Sequence, residues 1–295
     1  MRKFVLSCCS TADRQRQFFI QRNIPYVCYH LQFKGEAYAD DLGKTIPFDT
    51  FYEAMKQGEM PTTSQVNSED FMLFFEPFLK KGQDILHVTL SSGLSGTYNS
   101  ANIARQELLE KYPERKIQII DSLGASSGYG LFIEYLADLR DQGATLEETC
   151  QWAEANKLKV HHWFFSTDLT SYKRGGRISG VEALLGNILS ICPVMNMDCE
   201  GHLIPRKKVR TKRKAIEELT TLILTHAQEG VSYNGKCAIC HSDCLEDAQK
   251  LAKDIEKNMP QLQGKISINN IGTVIGSHTG PGTVALFFMG DERIK

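Results

Sequence analysis

The sequence has no long hydrophobic run and almost no net charge. No stretch of about eighteen apolar residues occurs, so a membrane-spanning helix is not expected. The 34 Lys and Arg residues nearly balance the 35 Asp and Glu residues, and the formal net charge of −1 argues against a nucleic acid or an anionic membrane as partner. The first residues form an apolar segment too short for a signal peptide, without a small-residue cleavage pattern, which predicts a cytoplasmic location.

The nine cysteines include one pair with metal-ligand spacing and no second such pair downstream. The segment Cys-Ala-Ile-Cys-His at 237–241, followed by Cys244, matches the attachment pattern of a c-type haem, but it reads as a strand in a chain without an export signal. Strand alternation would send Cys237 and Cys240 to opposite faces, and no second cysteine pair with ligand spacing follows, which argues against zinc. We expect reduced thiols packed as small hydrophobic side chains, and no metal.

The most informative segment, residues 84–101, reads as a buried strand, a Ser/Gly/Thr turn and a helix. Ile85, Leu86, Val88 and Leu90 form a short apolar run that is typical of a parallel sheet, and helical spacing of apolar residues follows. Free N–H groups at the start of the helix, beside Ser95, Gly96 and Thr97, would favour a carboxylate or a phosphate. The simpler alternative is that Ser95 only caps the helix.

Two further polar segments are candidates for the same site. Residues 61–65, Pro-Thr-Thr-Ser-Gln, form a hydroxyl-rich extended segment ahead of a predicted helix. Residues 275–282 place His278 among glycines, which read as a tight turn between two apolar strands, and an imidazole can donate or accept a proton near neutral pH.

Together and in this order, the motifs PTTSQ (61–65), LSSGLSGTYNSA (90–101), YKRGGRISG (172–180) and IGTVIGSHTGPG (271–282) resemble those of the DegV family of bacterial fatty-acid-binding proteins. The resemblance spans nearly the whole chain. It implies a carrier that encloses one long-chain fatty acid, C16–C18 such as palmitate, and presents the carboxylate to an ATP-dependent fatty acid kinase. It further implies lipid transport in fatty acid metabolism, no cofactor and no enzymatic activity of the chain itself.

Carried over by resemblance, the carboxylate ligands are Thr63 and Ser95, with Gly96 beside Ser95 and His278 behind them. The arginines that serve the partner kinase or the transferred phosphate are Arg174 and Arg210. Two departures from the family pattern are visible. Cys9 replaces the acid of a common Asp-Ser-Thr segment, and Cys192 replaces the lysine of a common Lys-Pro pair.

The order of predicted elements indicates an α/β fold of two domains, with the ligand between them. Strands near 4–7, 85–90 and 116–120 alternate with helices, which predicts a three-layer parallel-sheet domain at 1–160. A hairpin at 191–209, strands at 161–167, 235–239, 266–274 and 283–289, and helices at 212–227 and 244–258 predict a smaller mixed-sheet domain at 161–295. Ligands of such sheets lie at the C-terminal strand ends, where Ser10, Ser92, Ser95 and Asp121 fall.

Local helix signals add detail to this outline. Asp49, Asn67 and Thr145 are predicted helix caps, and Ser179-Gly-Val-Glu182 is a capping box ahead of a further helix. The phenylalanine-rich helix after Asn67 is predicted to belong either to the core or to an acyl tunnel.

The basic segment at 206–214 is the one local charge anomaly, since seven of its nine residues are Lys or Arg. A solvated helix start explains it, and so does a surface for a nucleotide-loaded kinase near Arg210. Nucleic acid is disfavoured because no aromatic residue lies within it. Arg174 and Arg177 lie in a glycine-flanked loop that is either a linking turn or an anion site.

Two rival functions belong to other classes. The DegV family is similar in fold to the sugar-binding half of dihydroxyacetone kinases, which would make His278 a nucleophile toward a small ketone. A hydrolase would use Ser95 with His278 and would need Asp121 as the orienting acid.

Overall fold

The computed structural model describes residues 4–178 and 191–295. The capping box predicted at 179–182, and the helix expected after it, lie outside these residues. Within the described ranges, each helix is too short or too polar to cross a lipid bilayer.

The described chain alternates strands and helices through most of its length. The strands are β1 (Val5–Cys9), β2 (Tyr26–Val27), β3 (His30–Phe33), β4 (Glu36–Ala39), β5 (Thr62–Ser64), β6 (Ile85–Thr89), β7 (Ile117–Asp121), β8 (Val160–Ser166), β9 (Cys192–Met197), β10 (Leu203–Val209), β11 (Cys237–His241), β12 (Ile266–Asn270) and β13 (Thr283–Met289). The helices are α1 (Arg16–Arg22), α2 (Phe48–Lys56), α3 (Ser68–Lys80), α4 (Thr97–Lys111), α5 (Ser126–Asp141), α6 (Leu146–Asn156), α7 (Thr170–Gly175), α8 (Lys212–His226), α9 (Leu245–Asn258) and α10 (Thr273–Thr279).

The first sheet is parallel and has the order β2-β1-β6-β7. Successive residues of its central strand β6 enter opposite layers, as the pleat requires. Ile85 packs into the cluster formed with α3 and α4, whereas Leu86 and Val88 pack into the cluster formed with α5. The predicted three-layer arrangement around a parallel sheet is therefore confirmed, and the phenylalanines of α3 at 71 and 75 are core residues.

The second sheet is mixed and has the order β10-β9-β8-β13-β11-β12. Among the described strands of this sheet, only β11 and β12 run parallel to each other, and the other neighbouring pairs are antiparallel. Phe287 of β13 faces α5, while the next residue, Phe288, stacks on His161, which in turn stacks on His226 of α8. The predicted hairpin, β9 with β10, forms one edge of this sheet.

Helix α5 joins the two sheets, because it contacts β1 on one side and β8, β11 and β13 on the other. A Cβ atom at Gly128 would lie 2.4 Å from both His162 Nε2 and Phe287 Cδ1, and one at Gly130 would lie 2.3 Å from Ala12 O. Only glycine allows the helix to approach both sheets this closely. The hydroxyl group of Tyr129 accepts from Cys9 N at 2.9 Å and donates to Val88 O.

A third, antiparallel sheet with the order β4-β3-β5 lies between β2 and α3 in the chain. It packs with α2 against α10, and the Tyr52 hydroxyl donates to Ile271 O at 2.8 Å. This sheet carries the predicted hydroxyl-rich segment on β5 and holds it against α10.

Four local predictions are wrong. The strand expected at 266–274 ends at Asn270, and the segment read as a glycine turn around His278 is helix α10. Its start is held by Thr273 Oγ1, which donates to Asp40 Oδ1 at 2.9 Å, a contact that the apolar spacing could not reveal.

Arg174 lies in helix α7 and not in a loop. Asp49 lies within the first turn of α2, whose N-cap is Pro47, and its Oδ1 accepts from Thr50 N. The predicted helix caps at Asn67 and Thr145 are confirmed, and the structure shows that both residues form capping boxes.

Candidate functional site

A cleft opens at the C-terminal ends of the parallel strands, where three elements meet. Ser95 and Gly96 lie between β6 and the start of α4, Thr63 lies in β5, and His278 lies in α10. The cleft has a volume of about 470 Å³. Its walls are Tyr29, Thr63, Gln65, Leu90, Ser92, Leu94, Ser95, Gly96, Ala125, Arg177, Leu203, Val274, Ile275, His278 and Thr279. The structure thus brings together all four residues predicted for a carboxylate.

The hydroxyl groups of the cleft form a connected network. Ser95 Oγ accepts from the Tyr29 hydroxyl at 3.3 Å and lies 3.0 Å from Thr97 Oγ1. Because Tyr29 donates to it, the Ser95 hydroxyl keeps its own proton for Thr97 or for a ligand. Tyr29 is only 3% exposed, so its ring is fixed by the core and can orient Ser95. Tyr29 was not predicted as a site residue, since it lies 66 residues from Ser95 in sequence.

The backbone donors of the turn are fewer than predicted. Ser95 N donates to Ser91 O at 3.2 Å, and Thr97 N donates to Ser95 Oγ at 3.3 Å. Of the N–H groups of Ser95, Gly96 and Thr97, only that of Gly96 has no partner in the described chain and is left for a ligand. A Cβ atom at Gly96 would lie 2.6 Å from Gln65 Oε1, so glycine here makes room for Gln65, which donates to Ser100 Oγ at 3.1 Å.

His278 is linked to Thr63 across the cleft, with 2.8 Å between His278 Nε2 and Thr63 Oγ1. Burial, followed by the charges of Arg177 and Arg174, lowers the pKa of His278 from 6.5 to about 4, so the imidazole is neutral at pH 7. Its Nδ1 is buried without a hydrogen-bond partner in the described chain. At this buried position, a lone pair on Nδ1 without a partner costs less free energy than an N–H group without a partner. We therefore assign the proton to Nε2. Nε2–H then donates to Thr63, whose hydroxyl proton is free for an anion.

The two predicted arginines lie in different places. Arg174 is exposed at the end of α7, with its Nη2 3.4 Å from Ser277 O, directly beside His278. Arg177, named as a second candidate, lies in the cleft wall, and its Nη1 donates to Gly175 O at 2.6 Å. Strand β10 begins at Leu203, in the cleft wall, and Arg210 is exposed just beyond its other end. Arg210 therefore lies roughly 20 Å along the strand from the cleft.

The contacts of a serine hydrolase are not formed in the described chain. The histidine bonds Thr63 and not Ser95. Asp121 Oδ1 accepts from Ser92 N at 3.1 Å and from Leu123 N at 3.0 Å, so this carboxylate shapes the turns and does not orient His278.

The cleft leads into a second, narrow pocket between α5 and the mixed sheet, of about 50 Å³ and with an entirely apolar surface. It extends toward Phe164, Tyr172, Met197 and Phe287. The amphipathic pairing of a hydroxyl-lined cleft with an apolar pocket is suited to a ligand with a polar head and a hydrocarbon tail.

Potential metal ligands in the described chain lie elsewhere. They form two groups, His161 with His226 and Asp291, and Asp198 with Glu200 and His202. In the first group, His161 Nδ1 accepts from Trp163 Nε1–H at 3.1 Å, which places the His161 proton on Nε2, facing Asp291. The predicted alternation of Cys237 and Cys240 follows from their places in β11, and neither belongs to these groups.

The fold and cleft define a three-sheet α/β protein with a polar cleft at the parallel strand ends and an apolar pocket behind it. A family model described as "Uncharacterised protein, DegV family" matches residues 8–291, and the chain belongs to the DegV family.

A DegV domain-containing protein of Clostridium perfringens is 39% identical over 99% of both chains. Two solved structures are similar at 27% identity. One, described as fatty acid binding of a DegV family protein from Thermus thermophilus, has a TM-score of 0.86 and covers 98% of this chain and 100% of its own. The other, DegV, a fatty acid binding protein from Bacillus subtilis, has a TM-score of 0.80 and covers 99% and 100%.

Proposed function

We propose that this chain is a bacterial cytoplasmic carrier and not an enzyme. It binds one C16–C18 fatty acid and presents the carboxylate to a partner fatty acid kinase. The observation that carries the proposal is the hydroxyl-lined cleft that opens into a wholly apolar pocket. Fatty acid binding by the similar proteins of Thermus thermophilus and Bacillus subtilis supports it.

The head group is assigned to neutral donors. Thr63 Oγ1–H, Ser95 Oγ–H and the Gly96 N–H point to one carboxylate, and His278 orients Thr63 through the 2.8 Å hydrogen bond. Neutral donors suit an oxygen that must later attack phosphorus, because a strong ion pair would hold its lone pairs. Gly96 is exposed, so the head group remains open to a phosphoryl donor.

The tail is assigned to the apolar pocket. Each buried CH₂ contributes about 0.8 kcal/mol, which favours an enclosed chain strongly over one in water. The pocket volume of about 50 Å³ is much smaller than a C16 chain, so we infer that side chains such as Phe164, Tyr172 and Met197 move apart when the tail enters.

The kinase reaction itself needs only the presented carboxylate. A carboxylate oxygen attacks the γ-phosphorus of ATP, an acyl–phosphate bond forms, and the bond to the leaving ADP breaks. We assign Arg174, beside His278, and Arg210, on the exposed basic segment at 206–214, to the kinase or its phosphates.

The test is chemical analysis of the purified chain. Extraction into organic solvent and mass spectrometry are expected to yield one C16 or C18 fatty acid per chain. A chain that carries no acid, and that takes up none when palmitate is added, would contradict the proposal.

The ketone alternative has less support from the contacts. Its nucleophile would be an imidazole nitrogen, but Nε2 bonds Thr63, and Nδ1 is buried where a Cβ atom on Gly175 would lie 2.8 Å from it. Incubation with dihydroxyacetone is therefore expected to leave the intact mass unchanged. A covalent adduct on His278 would favour the alternative instead.

A further inference from the structure

Within residues 4–178 and 191–295, four residues border both the cleft and the apolar pocket and form the neck between them: Ala125, Leu203, Ile275 and Thr279. Three of these are aliphatic. Thr279 is the neck residue with a side-chain hydrogen-bonding group, at the last position of α10 and directly after His278.

The hydroxyl of Thr279 has no partner in the described chain. The residue is 8% exposed, and its Oγ1 atom is buried without a hydrogen bond. A hydroxyl in a helix usually bonds the carbonyl four residues earlier, as Ser277 does with Thr273 O at 2.7 Å. A buried hydroxyl without a hydrogen bond is unfavourable. A rotation about χ1 of Thr279 would bring its hydroxyl group to the place where its methyl group now lies.

This inference rests on the proposed function. When the carboxylate of a ligand lies at Thr63 and Ser95 and its tail lies in the apolar pocket, the first carbons after the carboxylate lie in the neck. We propose that Thr279 recognises a hydroxyl group on these carbons, so that the chain prefers 2- or 3-hydroxy fatty acids to unsubstituted ones.

The same geometry predicts discrimination between mirror images. Thr279 shares the neck with three aliphatic residues, so a hydroxyl of the wrong configuration is expected to meet an aliphatic side chain that offers no partner. A hydroxyl forced against an aliphatic wall loses its hydrogen bonds to water without replacement. One enantiomer is therefore expected to bind more tightly than palmitate, and its mirror image more weakly.

The experiment is a competition on the purified full-length chain. The protein is incubated with equal amounts of palmitate and one enantiomer of 2- or 3-hydroxyhexadecanoic acid, and native mass spectrometry measures the ratio of the two complexes. Thr279→Val removes the hydroxyl at nearly constant volume, Thr279→Ser keeps it, and Thr225→Val on the exposed surface of α8 is the matched control.

We expect the wild type, Thr279→Ser and Thr225→Val to favour one hydroxy acid by about three- to tenfold, the range of one net hydrogen bond. Thr279→Val is expected to lower this ratio to one or below, and Thr225→Val, outside the cleft and the pocket, is expected to keep the wild-type binding of palmitate. Its thermal unfolding midpoint is expected to match or exceed that of the wild type. If Thr279→Val does not fold, the ratios of hydroxy acid to palmitate bound by the wild type and by Thr279→Ser still test the preference for a hydroxy acid.

The inference is overturned if the wild type prefers palmitate to every hydroxy acid, or if Thr279→Val keeps the wild-type ratio. It is also overturned if Thr279→Val loses palmitate as strongly as the hydroxy acid, since Thr279 would then belong to the carboxylate site. If the wild type binds none of the acids, the proposed function itself fails.

Discussion

Thr63 Oγ1 and His278 Nε2 lie 2.8 Å apart although the two residues are 215 positions apart in the chain. The contact joins the small antiparallel sheet to α10 and closes one side of the cleft. It also links the protonation of an imidazole to the direction in which a threonine hydroxyl points.

Removing the carboxylate donors is expected to weaken fatty acid binding. Hydrogen bonds to a charged group are worth about 1.5–3 kcal/mol each, so Ser95→Ala and Thr63→Val should each raise the dissociation constant for palmitate by roughly ten- to a hundredfold. Titration calorimetry on delipidated protein measures this. Thr62→Val, on an exposed neighbour in the same strand, is the control. Unchanged affinity in both variants would remove these residues from the site.

Tyr29→Phe is expected to weaken palmitate binding by about two- to tenfold, because the 3.3 Å hydrogen bond that orients Ser95 is lost while the ring remains in the core. The effect should disappear in the Ser95→Ala background, where there is no hydroxyl to orient. A double-mutant cycle on the dissociation constants checks this. Additive effects of the two substitutions would show that Tyr29 acts on something other than Ser95. Tyr38→Phe, at a half-buried tyrosine of β4 that does not line the cleft, serves as the control.

Arg174→Ala and Arg210→Ala are expected to keep the lipid and to lower acyl-phosphate formation with the cognate kinase. Both side chains are exposed and neither lines the cleft, so the bound acid should not need them. Bound lipid and acyl phosphate are measured separately, with Lys173→Ala as the control for charge on α7. An arginine whose loss empties the pocket would belong to the ligand site.

The stability contributed by His278 is expected to fall in mild acid. Its pKa is lowered from 6.5 to about 4 in the fold, so the unfolded chain binds the proton first as the pH drops. The contribution is fully present above about pH 6.5 and is lost as the pH falls toward 4. The charged groups near the ring are Arg174 of α7 and Arg177, two residues beyond the end of α7, and both charges act in the same direction.

Urea unfolding of the wild type and His278→Gln at pH 7, 5.5 and 4.5 checks this. The wild type should lose stability relative to the variant across this series, and the buried acids Asp13 and Asp40, whose raised pKa values act in the opposite direction, cancel in the comparison. A difference that does not change with pH would mean that His278 is not held neutral.

Gly128→Ala is expected to destabilise the fold by about 1–3 kcal/mol, because the added methyl group overlaps His162 and Phe287 and pushes α5 away from the mixed sheet. Chemical denaturation measures the change. Gln142→Ala, at the exposed end of the same helix, should stay within about 0.5 kcal/mol of the wild type. Equal stability of both variants would contradict the close packing of α5 between the sheets.

Local patterns in the sequence determined the strands of the parallel sheet, the β9–β10 hairpin and the helix caps at Asn67 and Thr145. Each depends on residues within one turn, one strand or one hairpin, so spacing and cap chemistry suffice to predict them. The motifs around Ser95 and Thr63 likewise marked the hydroxyl groups that line the cleft, although their meeting could not be read from spacing.

Tertiary contacts decided the rest. The apolar spacing before His278 is compatible with a strand, and α10 forms because Asp40 holds its start and Gly276 fits against Tyr52. The pairing of Tyr29 with Ser95 and the position of Arg177 in the cleft depend on how separate elements pack. Long-range packing is not encoded in any single segment, so a linear pattern can name the chemistry of this site while only the folded chain brings the atoms together.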